Sequence, residues 1–206
     1  GRTFCAGHDL KEMRAARADP DRGRDRFAAL FRQCSALMLA IVNLPKPVIA
    51  EVGGVATAAG CQLVASCDLA VASQDASFAT PGVDIGLFCS TPMVALSRNM
   101  ARKPAMEMLL TGGVIGAGQA RELGLVNRVV PVESLQSETM ALARKIAAKP
   151  KATLRIGKQA FYRQIEMPLA AAYDYASQVM TDNMLGPEAE EGIQAFLEKR
   201  DAKWPQ

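Results

Sequence analysis

A single histidine, His8, stands in the 206 residues. The five cysteines (Cys5, Cys34, Cys61, Cys67 and Cys89) occur singly, with no CxxC pair. A zinc site of thiolates and imidazoles is therefore not expected. The odd count and apolar surroundings point instead to reduced, buried thiols in a reducing cytoplasm. Aromatic residues make up only 5%, the net charge is +3, and the basic residues are scattered. Nucleic acid, which needs clustered Lys and Arg with interleaved stacking surface, is not an expected partner. No apolar run approaches a membrane span and no charged-then-apolar leader opens the chain, so no membrane partner is expected either.

What is present is half hydrophobic and 22% charged, the balance of a globular protein with a sizeable core. The length fits one domain, or one domain with a helical appendage. The chain opens on Gly1 and runs directly into strand-like RTFC (2–5), as if earlier strands were missing. Helical periodicity follows from His8, and again from about 26 to 43, where Phe27, Leu30, Phe31, Leu37, Met38 and Ile41 recur near 3.6 residues. PVIAEV (47–52) reads as a strand, GGVATAAG (53–60) as a turn, CQLVAS as a helix start and DLAVAS (68–73) as a second strand. That order suits a right-handed parallel unit.

Residues 77–87 read as a loop with Pro and two glycines. Three helices follow between 91 and 124, and VNRVVP (126–131) is a last strand. From 134 the pattern is helical throughout, over 134–148, 151–165, 168–185 and 187–200. Two regions are expected: an α/β core over 1–133 and a helical region over 134–206.

Two turns rich in small residues lead from strand to helix, CAGHDL (5–10) and GGVATAAGCQ (53–62). Small residues admit a ligand close to the backbone, and the first N–H groups of a helix point outward with partial positive charge. Side by side, two such turns would offer two donors to one oxygen, which is the chemistry of an oxyanion hole. The same turns also serve as plain strand–helix packing junctions.

The ordered set FCAGHDLKEM (4–13), KPVIAEVGGVATAAGCQLVASCDLAVAS (46–73), FATPGVDIGL (78–87), AMEMLLTG (105–112), ARELGLVNRVVP (120–131) and EGIQAFLEKR (191–200) resembles the enoyl-CoA hydratase/isomerase (crotonase) family. The GLFCSTP run (86–92) is most similar to its enoyl-CoA hydratase domain-containing protein 3 branch. The resemblance implies an α/β fold, a ClpP/crotonase-type spiral of β-β-α units with a helical C-terminal region. It also implies an acyl-CoA thioester as ligand, with coenzyme A as part of the substrate and no separate cofactor. A trimer or dimer of trimers is implied as well.

Carried over residue by residue, the oxyanion donors fall on the backbone N–H groups of His8 and Ala59. Ala6, Gly7, Asp9, Leu10, Ala58, Gly60 and Pro81 would line the ligand cleft. Phe196 and Lys199 match positions that reach the CoA of an adjacent subunit. Hydratases of this family resemble one another in using two glutamates, and here those positions hold Gln62 and Gly82. An amide orients water but cannot take its proton, and glycine offers no side chain. Asp84 is the nearest replacement carboxylate, or else a loop cap. Ser90 or Thr91 is expected to cap a helix, and Asp68 to hold structure. The expected reading is enolate stabilisation on a CoA thioester by a lyase or isomerase. Decarboxylation, thioester hydrolysis, isomerisation and binding without turnover stand as alternatives.

Overall fold

The computed structural model describes residues 1–204. They pack as two compact units: Gly1–Val42 with Val48–Met140, and Asn43–Pro47 with the chain from Ala141 onward. In chain order the first unit holds β1 (Thr3–Cys5), α1 (Leu10–Ala16), α2 (Arg24–Asn43), β2 (Ile49–Val52), β3 (Val55–Thr57), α3 (Ala59–Ser66), β4 (Leu69–Ser73) and β5 (Ser77–Ala79). It continues through α4 (Ser90–Asn99), α5 (Arg102–Thr111), β6 (Ile115–Gly116), α6 (Ala117–Glu122) and β7 (Arg128–Val130) into α7 (Leu135–Ala147).

The strands form two sheets, ordered β1-β3-β5-β6 and β2-β4-β7. All pairs are parallel except β5–β6. Every consecutive pair of strands except β5 and β6 lies in different sheets, so the chain steps back and forth between the two sheets and spirals. Close approach at the step from β2 to β3 requires glycine: a Cβ on Gly54 would fall 2.2 Å from the Arg2 carbonyl oxygen. The expected α/β spiral is the fold observed.

Small apolar residues build the core. Val52, Ala56, Cys61, Val64, Ala72 and Phe78 are almost wholly buried, with Leu96 of α4 and Met108 of α5 closing over them. Asp68 ties the entry to β2 by accepting from the Val48 N–H at 2.6 Å, the structural job expected of it. Glycines with positive φ, Gly112 and Gly124, stop α5 and end the turn after α6.

Three local expectations fail. The stretch 53–60 is not all turn, since β3 runs through it, and the loop 77–87 contains β5 and a 3-10 turn over Pro81–Ile85. Strands of three residues, Val-Ala-Thr and Ser-Phe-Ala, are too short for an alternation to be detected. Neither Ser90 nor Thr91 caps α4: Cys89 holds that position, and the Ser90 hydroxyl donates back to the Phe88 carbonyl.

The second unit is helical: the end of α7, then α8 (Lys151–Gln164), α9 (Leu169–Met184) and α10 (Pro187–Leu197). Glu188 accepts from the Ala152 and Thr153 N–H groups and the Thr153 hydroxyl at 2.8–3.1 Å, so α10 caps the first turn of α8. Arg163 stands 4.5 Å from the centroid of the Tyr175 ring, joining α8 to α9. No helix among the described residues is long and apolar enough to cross a membrane.

Candidate functional site

The turn after β1 lies directly on the first turn of α3. A Cβ on Gly7, which has φ 93°, would come within 3.1 Å of the Ala58 Cβ and 3.3 Å of the Ala59 nitrogen. The Thr57 hydroxyl donates to the Ala6 carbonyl at 3.2 Å. Gly60 is pressed against β1 so closely that a Cβ there would overlap the Cys5 carbonyl, at 2.0 Å. Gly7 and Gly60 are thus glycine because two backbones meet at these points.

Ala58 enters α3 at φ 52° and ψ −117°. A non-glycine residue there costs about 1–3 kcal/mol and persists only where its surroundings hold it. Its N–H donates to the Ala79 carbonyl and its carbonyl accepts from Gln62, both at 3.0 Å. The bend turns the start of α3 sharply off β3. Among the described residues the N–H groups of His8 and Ala59 have no hydrogen-bond partner. The α3 donor carries the positive end of the helix dipole.

Helix α2 lies over this junction. Phe31 meets the His8 imidazole edge-on, with centroids 5.6 Å apart and planes at 88°. One turn further along, the Cys34 thiol lies 3.8 Å from Oε1 of Gln62, a side chain only 4% exposed. Burial, and secondarily the neighbouring Cys5, pushes the Cys34 thiol above its ordinary value, so at neutral pH it is an S–H donor. Between α1 and α2 a cleft of about 100 Å³ is lined by His8, Asp9, Glu12, Met13, Arg26, Phe27 and Leu30. The Cys34 contact was missed from the sequence. Its signal was there, because Phe27, Phe31, Cys34, Met38 and Ile41 share one helical stripe.

The remaining expected residues fall as follows. Asp9 is the N-cap of α1, its carboxylate accepting from the Lys11 N–H at 2.7 Å, and Leu10 opens that helix, half-exposed. Gly82 is buried at the start of the 3-10 turn, where a Cβ would meet the Leu87 carbonyl at 2.5 Å and the Cys89 sulfur at 2.9 Å. The space a second carboxylate would need is filled. Pro81 and the carboxylate of Asp84 both lie against Gly112 at the end of α5. The Cys61 thiol, buried and beside Cys89, is pushed up to about 12. That leaves it a thiol at neutral pH, unsuited to serve as a nucleophile with His8. Phe196 and Lys199 belong to the second unit, with Phe196 82% exposed on α10 and Lys199 at φ 54° just beyond it. Among the described residues no cluster of His, Cys, Asp and Glu could hold a metal ion.

The family model described as enoyl-CoA hydratase/isomerase matches residues 1–206. The chain is 52% identical over 204 residues to mouse enoyl-CoA hydratase domain-containing protein 3, mitochondrial, covering 99% of this chain and 66% of that one. The human protein of that name gives the same figures. The chain thus spans just under two thirds of these relatives. Among solved structures, an enoyl-CoA hydratase of Mycobacterium smegmatis superposes with a TM-score of 0.94 at 57% identity, covering 99% of this chain and 77% of that one. The human enoyl Coenzyme A hydratase domain-containing protein 3 gives 0.92 at 52%, covering 99% and 79%. The expected cytoplasmic location is overturned, because the mouse and human relatives are named mitochondrial. Singly spaced cysteines report a reducing environment and do not distinguish one reducing compartment from another. Motifs, fold and whole-chain match agree that the chain belongs to the enoyl-CoA hydratase/isomerase family.

Proposed function

We propose that the chain binds an acyl-CoA thioester with its carbonyl oxygen between the N–H groups of His8 and Ala59, stabilising the enolate that forms from it. The observation that carries this reading is the seating of Gly7 on residues 57–59, with both N–H groups left unpartnered. Ala6, Gly7, Asp9, Leu10, Ala58, Gly60 and Pro81 line the ligand's path in this reading, and coenzyme A enters as part of the substrate. Because the donors are backbone groups, histidine at 8 and alanine at 59 leave them intact.

The protein acts as a lyase or isomerase of its family without the two-glutamate hydration. Gln62 has no useful pKa and Gly82 has neither side chain nor room for one. The arrangement suits reactions in which the oxyanion hole carries the charge and the proton comes from solvent or Asp84, decarboxylation of the acyl group among them. Homo-oligomerisation, as a trimer or dimer of trimers, would cover the apolar stripe of Leu169, Tyr173, Met180 and Met184 on α9 with Phe196 on α10, all exposed here.

The test compares butyryl-CoA with S-butyl-CoA, the thioether lacking the carbonyl oxygen, by calorimetric titration of the full-length protein. Two hydrogen bonds of about 0.5–1.5 kcal/mol each predict roughly 5- to 150-fold tighter binding of the thioester. Equal affinities would refute the clamp. Turnover of crotonyl-, malonyl- and other acyl-CoAs then assigns the reaction, and binding without turnover of any marks a non-catalytic acyl-CoA carrier.

A further inference from the structure

The pairing of Cys34 with Gln62 fixes more than a side-chain rotamer. An amide has one acceptor end and one donor end, and which end faces a ligand decides what that ligand must be. The acceptor end, Oε1, takes the Cys34 S–H. The donor end, Nε2, makes no hydrogen bond among the described residues and yet is not sealed inside the protein. With Gln62 only 4% exposed, it is a nearly buried amide donor with no protein acceptor among the described residues.

Where it reaches follows from helix geometry. Gln62 stands one turn beyond Ala59 on α3, so the two share a helix face. Helical side chains lean toward the N-terminus, which carries the Gln62 amide back over the turn that begins at Ala59. In the thioester-clamp reading, an oxygen on the third carbon of an acyl chain, counted from a carbonyl at the Ala59 N–H, would fall at that level.

Resting on the thioester-clamp reading, we infer that Cys34 is a positioning residue that locks the Gln62 amide donor-inward, making the site selective for acyl thioesters whose third carbon bears an acceptor-only oxygen, a ketone or a carboxylate. A glutamate at this position would present two acceptors and repel such an oxygen, so the preference is the reverse of what a carboxylate would impose. A carboxylate ligand, being a charged acceptor, gains more than a ketone.

Calorimetric titration of the full-length protein with two matched pairs tests this: acetoacetyl-CoA against butyryl-CoA, and malonyl-CoA against propionyl-CoA. The wild type is expected to favour the ketone about 2- to 12-fold and the carboxylate about 12- to 150-fold. Gln62→Leu should bring both ratios to one, and Gln62→Glu should take them below one. Cys34→Ala should lower both ratios by freeing the amide to turn, while Cys34→Ser, which keeps a donor, should restore them. A merely structural Cys34 would change all four affinities together. Ratios of one in the wild type, or ratios that survive Gln62→Leu or Cys34→Ala, overturn the proposal. Failure of butyryl-CoA itself to bind places the fault in the clamp, and the proposal falls with it.

Discussion

On the sequence alone, restoring a carboxylate at position 82 is the direct route to hydratase chemistry. The packing around Gly82 predicts otherwise. A Cβ there meets the Leu87 carbonyl oxygen at 2.5 Å and the Cys89 sulfur at 2.9 Å. The segment is closed on itself by a 2.8 Å bond from the Leu87 N–H to the Gly82 carbonyl, so it cannot open freely. Even Gly82→Ala should therefore cost about 1–3 kcal/mol, the range for overpacking a filled interior. For a protein of this size that lowers Tm by roughly 2–12 °C. Gly82→Glu adds a buried carboxylate, which must protonate or pay several kcal/mol more in lost hydration. Thermal unfolding of the two variants and crotonyl-CoA hydration by each are the assays. Pairing Gly82→Ala with Cys89→Ala removes one of the two clashes and should recover part of the loss, a coupling that a double-mutant cycle measures. If Gly82→Ala melts within about 1 °C of the wild type, or if Gly82→Glu hydrates crotonyl-CoA with undiminished stability, the argument from packing is wrong.

Gly60→Ala should be worse than Gly82→Ala, at or beyond the ~3 kcal/mol upper end for overpacking, because both closest atoms belong to the Cys5 backbone, which has no rotamer to yield. Thermal unfolding and butyryl-CoA titration read the loss of stability and of the clamp together. Cys61 gives the stability a pH dependence on the alkaline side. Unfolded, its thiol ionises from about 9.0, whereas folded it holds its proton to about 12, so the unfolded chain binds fewer protons in that window and stability falls as pH rises through it. Urea midpoints measured across that window should decline in the wild type and decline less in Cys61→Ala. In the helical unit, Glu188→Ala should cost about 0.5–2 kcal/mol, the usual loss for a helix cap, read from urea unfolding. Burial raises the Glu188 carboxyl, but hydrogen bonds from Thr153 and Ala152 outweigh it and hold the carboxyl below the ordinary 4.5. That contribution is therefore present above the unfolded value and lost as the pH falls through the folded one.

The long elements were legible in the sequence because their burial is periodic. The stripe through Phe27, Phe31 and Met38 gave α2 to within two residues, and Gly112 marked the end of α5. What was not legible shares one physical cause, that it depends on close approach between segments remote in sequence. The strands β3, β5 and β6 have two or three residues each and exist because neighbours pair with them. The positive φ of Ala58 has no signal in a residue type that disfavours it; it follows from bonds to Ala79 and Gln62. Position 82 could be read as the absence of a carboxylate, but not as the presence of Leu87 and Cys89 in its place.

The same distinction bears on how the proposed thioester clamp could persist without the two glutamates. Backbone donors are set by where Gly7 meets the first turn of α3, and that meeting depends on glycine at 7 and 60, not on the side chains at 8 and 59. Substitution at 8 or 59 would leave the proposed clamp in place. Side-chain chemistry has no such protection, because exchanging one residue at 62 converts an acceptor to a group with two faces. The choice of face then passes to whatever packs against it, which here is Cys34 on α2, 28 residues away. The same stripe of α2 that seats Phe31 on His8 holds the Gln62 amide. In the proposed reading a single helix surface therefore governs both the side chain above the first donor and the polarity beside the second, and changes along 31–38 should alter ligand choice without touching either backbone group.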